Sequence, residues 1–296
     1  MRGVLAAVAL LVLLAGPARA LTVTDQVGRQ ITLPAAPARI ISLVPSVTEI
    51  LYAIGAQDRL VGVTDFCDYP PEARRKPHVG GMLAPSLEGM VSLKPDLVIA
   101  TSAGNRQETF DQLDRLQIPL YVVDPITVAD VLDLMGRLGR LADRAEAADR
   151  TVADLRERIR RVTARLEGRP RPRVLYVLWP DPLIVPGRDA LVSELIGLAG
   201  GQSVTIDGGE GYPRYSLEAA LARKPDVIVL ASHSPERTPL SRDKWERFRQ
   251  VPAIAAGRLY TIDGDLTHRY GPRIVDGLER LARLIHPEAF GGGEAR

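Results

Sequence analysis

The chain has little with which to build covalent or catalytic devices. One of its 296 residues is cysteine, Cys67, so an intramolecular disulfide is excluded. The expected use of that thiol is as a small buried hydrophobe. Aromatics make up 5% and the formal net charge is +2, with arginine spread along the chain. No nucleic-acid-binding face or membrane-surface bias follows from that balance. The apolar run at residues 4–15 is shorter than the ~20 residues a spanning helix needs. There is no G-x-S-x-G elbow, P-loop, G-x-G-x-x-G or H-E-x-x-H. His78, His233, His268 and His286 lack metal-ligand spacing. The expectation is a protein without catalytic residues, metal site or resident cofactor.

What remains is ordinary globular material. Hydrophobic residues are 46% and charged residues 25%, and the length suits about two domains. Residues 1–20 read as a leader: Arg2 gives a basic start, residues 4–15 an apolar core, and Ala18-Arg19-Ala20 a cleavage signal. Cleavage is expected before Leu21. Cys67 lies far from that point, so no lipid-modified cysteine anchors the new N-terminus. The mature chain is expected free in a bacterial periplasm.

One module is written twice. Residues 86–100 read SLEGMVSLKPDLVIA and residues 216–230 read SLEAALARKPDVIVL. Ser86 and Ser216 suit helix N-caps, with Glu88 and Glu218 in the first turn. Pro95 and Pro225 end those helices, and short aliphatic runs follow. Such runs suit strands buried on both faces of a parallel sheet. A repeat at this spacing predicts two similar lobes rather than a solenoid. A common α/β unit explains the strands. It leaves a glutamate of exposed character at the same place in both copies unexplained.

The rest of the chain alternates strands and helices, which predicts an α/β fold of mainly parallel sheets. Residues 21–33 suggest a hairpin. Strands are expected at 39–44, 60–64, 120–124, 173–178 and 259–262. Helices are expected at 45–54, 105–117, 189–199, 244–250 and 272–285. Residues 127–167 carry an apolar stripe at alternating steps of three and four, closed by Gly168 and Pro170. The stripe reads as a long helix laid across both lobes. Asp143 followed by Glu146 has the form of a capping box, which would place a break there. The expected division is a first lobe at 21–126, a connecting helix at 127–168, a second lobe at 169–290 and a disordered tail at 291–296.

Ligand-type residues gather after strands, where open α/β sheets bind ligands. Phe66, Asp68 and Tyr69 follow one strand, and Met82 lies in the next loop. Trp179 follows another strand, and Tyr212 and Tyr215 precede the second repeat. Asp265, His268 and Arg269 follow the last strand. Aromatics with a few polar groups suit a large, flat, partly apolar ligand. Each loop aromatic could equally pack on its own lobe, and Asp265 and Arg269 could pair with each other at i,i+4.

The motifs RIISLVPSVTEILYAIG (39–55), DFCDYPPEA (65–73) and the two SLE…KPD copies resemble the periplasmic substrate-binding proteins of cobalamin and iron-siderophore ABC importers. The resemblance covers residues 21–285, and the DYPP loop leans toward the cobalamin-binding branch. It implies two Rossmann-like lobes joined by one long rigid helix, with ligand in the cleft between them. It implies a monomer that delivers its ligand to an inner-membrane permease dimer with ATPase subunits. Glu88 and Glu218 would dock on arginines of that permease. Phe66, Tyr69, Tyr212, Asp265 and Arg269 would line the ligand site, and Met82 and Tyr212 stand where cobalamin binders carry tryptophan. Haem and ferric siderophores stay open as ligands, with Tyr69 and His268 as the side chains able to ligate haem iron.

Overall fold

The structure, a computed structural model, describes residues 20–232, 245 and 247–291. Residues 1–19 of the expected leader, His233, residues 244 and 246 of the helix expected at 244–250, and residues 292–296 of the tail lie outside them. Among the described residues, no helix is long and apolar enough to cross a membrane.

The chain opens with the expected hairpin, β1 (Leu21–Thr24) antiparallel to β2 (Gln30–Leu33). Gly28 supplies the left-handed turn residue at φ 85°. The Asp25 carboxylate accepts the N–H of Val27 and Arg29 at 3.1 and 2.8 Å, closing the turn.

Then come β3 (Ile40–Ser42), α1 (Pro45–Ala53), β4 (Leu60–Val63), α2 (Leu87–Ser92), β5 (Leu97–Thr101), α3 (Gln107–Arg115) and β6 (Leu120–Val123). These strands form a parallel sheet ordered β4-β3-β5-β6. The hairpin sits on its edge: Gln26 donates its N–H to the Val122 carbonyl and its side-chain oxygen accepts the Asp124 N–H. Two helices follow, α4 (Val128–Leu141) and α5 (Ala145–Leu166). The second half of the chain begins with β7 (Arg173–Val177), a separate small hairpin of β8 (Trp179–Pro180) and β9 (Leu183–Ile184), α6 (Leu191–Leu198) and β10 (Gln202–Ser203), the first and last of which are strands of the second sheet. It is completed by α7 (Leu217–Ala222), β11 (Val227–Ser232), α8 (Pro252–Ala255), β12 (Leu259–Asp263), α9 (Asp265–His268) and α10 (Ile274–Ile285). The parallel order of the second sheet is β10-β7-β11-β12.

Numbered from its own first strand, each sheet has the order second, first, third, fourth. The repeated module occupies the same slot in both: α2 leads into β5 and α7 into β11, the third strands. β5 is buried along its whole length, as its unbroken aliphatic run requires. Ser86 and Ser216 cap their helices, each accepting the N–H three residues on at 3.1 Å. The helices stop earlier than the prolines demand. Lys94 and Lys224 take left-handed conformations, φ 46° and 51°, and the proline then follows an already finished helix.

The aspartate of each Lys-Pro-Asp has one job in both sheets. Asp96 accepts the N–H of Ala38 and Arg39 at 2.8 and 2.9 Å, just before β3. Asp226 accepts the N–H of Arg173 at 2.8 Å at the start of β7, and also its guanidinium. That guanidinium holds the Asp226 carboxyl below the usual carboxylate range. A depressed folded pKa gives stability that is present above the unfolded value of ~3.9 and lost as pH falls through the folded value. Asp226→Ala is therefore expected to cost about 1–2 kcal/mol in urea unfolding at neutral pH. The gap from wild type should close below about pH 4, and a gap unchanged at about pH 3 would overturn the assignment.

The stretch at 127–167 corrects the expectation of one long helix. α4 ends at Leu141, Asp143 turns left-handed at φ 52°, and α5 begins at Ala145. The Asp143 carboxylate pairs with Arg59 at 3.5 Å. The capping box of the stretch lies at its start, where Thr127 and Asp130 exchange side-chain to backbone bonds at 2.9 and 3.1 Å. The apolar stripe runs through the break because both helices bury it: Leu134 and Leu138 on one, Val152, Leu155 and Val162 on the other. Arg158 then fastens α5 to α10 through Asp276 and Glu279.

The chain forms two compact units. The first comprises the described residues up to Leu51, Gly55–Asp124 and Arg140–Ala145; the second comprises Tyr52–Ile54, Pro125–Gly139 and the described residues from Glu146 onward. One core packs Ile41, Leu43, Val98 and Val122 with Met90 and Leu113. The other packs Leu175, Val177, Ile228 and Leu230 with Trp245 and Leu259.

Candidate ligand-binding loops

In the first unit, the loop after β4 is pinned from within. Cys67 is buried, and its sulfur lies 3.1 and 3.2 Å from the hydroxyls of Thr48 and Thr64. Pulling Cys67 in turns its neighbours out: Phe66 is 57% and Tyr69 43% exposed. The lone thiol is thus the anchor of the loop that carries the expected ligand residues. Asp65 braces the loop from the side, 3.0 Å from His78 Nδ1, while Asp68 lies 3.9 Å from Arg74. Phe66 reaches over Gly81, next to Met82. Met82 is half-buried, and its carbonyl accepts a hydrogen bond from Asn105 Nδ2 at 2.7 Å. Sequence reading missed Asn105, which carries no motif and sits in a short loop after β5.

In the second unit, Trp179 stands on the β8–β9 hairpin rather than in a plain loop, and its indole N–H bonds the Asp181 carbonyl at 2.9 Å. Tyr212 lies in a glycine-rich loop tied down by bonds from Gly187 N–H to Gly211 O and from Arg188 N–H to Gly209 O. Tyr215 packs on the core of its own unit, with its ring against Gly208 of that loop. Asp265, His268 and Arg269 do not lie in open loop: the first two are the ends of the single-turn helix α9, and Arg269 follows it. Asp265 and Arg269 pair with each other at 2.8 Å. His268 sits edge-on to both Tyr176 and Tyr212, with ring centroids 5.6 and 6.1 Å away. The Tyr176 hydroxyl is 2.7 Å from Thr267 Oγ1 and 3.1 Å from His268 Nε2. Burial pushes the hydroxyls of Tyr176 and Tyr212 up, so both stay protonated near neutrality. Tyr176 was legible only as one more residue of an apolar strand.

The result is two sets of loops, each beyond the carboxyl ends of a parallel sheet. They offer aromatic and thioether surface, ion pairs that include Asp265 with Arg269 and Asp68 with Arg74, and several aromatic hydroxyls. Among the described residues, no three His, Cys, Asp or Glu side chains group as a metal site. Over residues 40–266 the chain matches the family model described as periplasmic binding protein.

The chain belongs to the periplasmic binding protein family.

Relatives of this periplasmic binding protein include a vitamin B12-binding protein of Photorhabdus laumondii, 32% identical over 256 residues, which span 86% of this chain and 90% of that one. Among solved structures, the periplasmic vitamin B12 binding protein of Vibrio cholerae matches with a TM-score of 0.75 and 28% identity, covering 86% of this chain and 99% of that one. A periplasmic haem-binding protein from a Roseiflexus species matches with the same TM-score, 0.75, and 27% identity, over 85% of this chain and 98% of that one. The fold alone does not separate these two ligands. The binding protein also keeps both repeated glutamates, Glu88 and Glu218, on its surface in the first turns of α2 and α7. Glu218 accepts from the Ser216 hydroxyl at 2.9 Å, and its own backbone N–H together with that hydroxyl holds its carboxyl below the usual range.

Proposed function

We propose that the chain is a non-catalytic receptor that captures a corrinoid, cobalamin above all, and delivers it to an ABC import permease with its ATPase subunits. The observation that carries this reading is the agreement of its curated relatives on vitamin B12. The loops add to it: Phe66, Tyr69, Met82, Trp179 and Tyr212 supply apolar contacts for a flat macrocycle. Asp68 and the paired Asp265 and Arg269 supply hydrogen bonds for its amide arms. The protein carries no resident cofactor and acts as a monomer. Export depends on the leader at 1–20.

Haem is the second reading, supported by the haem-binding structural relative. His268 suits it poorly as an iron ligand, because its Nε2 is engaged with the Tyr176 hydroxyl. Tyr69, exposed at the loop surface, is left as the side chain able to ligate iron.

Titration calorimetry with cyanocobalamin, cobinamide, haemin and ferric siderophores tests the choice. Cyanocobalamin is expected to bind with a Kd at or below about 1 μM, equivalent to about 8 kcal/mol. Tight haemin binding without corrinoid binding would overturn the proposal in favour of haem.

A further inference from the structure

We infer that Gly104 and Asn105, in the loop after β5, position Met82 and thereby set the apolar surface that the first unit offers its ligand. Neither residue belongs to the loops that carry Phe66 or Met82. Asn105 is 8% exposed, and its amide is used at both ends. Its Oδ1 accepts the Thr101 N–H at 2.8 Å, and its Nδ2 donates to the Met82 carbonyl at 2.7 Å. Flipping the amide would lose both bonds, so the partners fix its orientation. The Met82 loop is closed at its base by the bridge between Gly80 and Pro85 and by the Ser86 N–H on the Val79 carbonyl. Asn105 supplies the tie above that base.

Gly104 acts on the side chain. A Cβ at residue 104 would overlap the Met82 methyl, with the Met82 sulfur at 3.8 Å and Thr101 Cγ2 at 3.5 Å. Met82 therefore lies in a seat that exists because residue 104 has no side chain. The backbone of Gly104 is outside the left-handed region, so alanine fits it without strain. The obstacle to alanine is the end of a flexible side chain, and that end can move. Gly104→Ala is thus expected to evict the Met82 thioether outward, beside Phe66, and to keep the fold. Mere core packing does not account for the arrangement, because Leu83, next to Met82 in the chain, and Phe66, whose ring lies by Gly81, are 58% and 57% exposed.

The ligand half of this inference rests on the proposed function; the positional half does not. Methyl-labelled methionine in the full chain reads the positional half without any ligand. The chain has four methionines, and Met90 and Met135 are fully buried and serve as internal references. In Gly104→Ala and in Asn105→Ala the Met82 methyl resonance is expected to shift and to gain contact with a soluble relaxation agent, while Met90 and Met135 hold. Asn105→Asp keeps the acceptor for Thr101 but loses the N–H for Met82, and should behave as Asn105→Ala does. A Met82 resonance unmoved in all three variants would overturn the positional role.

Cyanocobalamin affinity is expected to fall about tenfold in Gly104→Ala, the scale of one misplaced methyl-sized group in a pocket. In Met82→Ala/Gly104→Ala the loss should be no greater than in Met82→Ala alone, because the evicted group is gone. A Met82 methyl that moves without any change in affinity would remove Met82 from the ligand surface. A wild type that binds no corrinoid would sink the functional reading alone, with the methyl shifts still deciding the positional one.

Discussion

Reversing Glu88 and Glu218 together to lysine is expected to reduce cobalamin uptake to background while leaving cyanocobalamin affinity unchanged. The two carboxylates occupy one structural slot, the first turn of the helix that leads into the third strand, in two sheets of identical order. Both are exposed, and α2 and α7 are each fixed by a serine cap and a left-handed lysine. Their geometry is therefore set by the fold rather than by flexible loops. An exposed ion pair with a partner is worth about 0–1 kcal/mol, so neutralising one glutamate should cost little. Reversal does more, since each lysine would face the permease arginines that the resemblance implies for these glutamates, and like charges repel. A single reversal should lower uptake about tenfold, equivalent to ~1.4 kcal/mol, and the double should add to it. The cost to the folded protein is smaller, because at each exposed helix N-terminus only a favourable first-turn carboxylate is lost. Labelled-cobalamin uptake, corrected for protein level and paired with calorimetry, reads the result. Normal uptake by the double variant at normal protein level would remove both glutamates from the docking surface.

Much of this was open to reading because the chain repeats itself. Ser, Leu and Glu followed by Lys-Pro-Asp give a cap, a first-turn acid, a helix end and a buried strand, each by local chemistry. What the repeat could not reveal was the use of its aspartate, since Asp96 and Asp226 act on backbone that is distant in sequence. The long apolar stripe misled for a related reason. Its period records which face is buried, and both α4 and α5 bury that face. The break itself was marked by Asp143 ahead of Glu146, and Asp143 makes it by turning left-handed, a conformation aspartate tolerates. In the candidate site, the exposed aromatics were legible as types in loops. Their support was not: Cys67 against the Thr48 hydroxyl, Asn105 across to Met82, and Tyr176 reaching from a buried strand to His268 join segments that are not neighbours in sequence. The pairing of Asp265 with Arg269 was readable, because its spacing is local.

Gly277→Ala is expected to destabilise the protein and weaken ligand binding together. Helix propensity argues the other way, since alanine in a helix interior gains about 1 kcal/mol over glycine. Packing decides the sign. A Cβ on Gly277 would overlap the carbonyl of Leu266, with Thr267 Cγ2 at 3.2 Å. That carbonyl belongs to the backbone of α9 and cannot rotate aside as a side-chain end can. Neither can α10 withdraw easily, because Ile274, Leu278, Leu281 and Ile285 are fully or almost fully buried in the core. Overpacking of this kind costs about 1–3 kcal/mol, and more where backbone must shift, which outweighs the propensity gain. Each kcal/mol of net loss should lower Tm by about 2–4 °C in a chain of this size. The element that gives way is α9, the short turn carrying Asp265 and His268, with Arg269 directly behind it. Its displacement should disturb the bonds from the Tyr176 hydroxyl to Thr267 and His268 and lower cyanocobalamin affinity along with Tm. A variant more stable than wild type by about 1 kcal/mol would mean that propensity had won and that the close approach of α10 to α9 is dispensable. The same exchange at Gly104 should leave Tm nearly unchanged, because there the methyl meets only a thioether free to swing away.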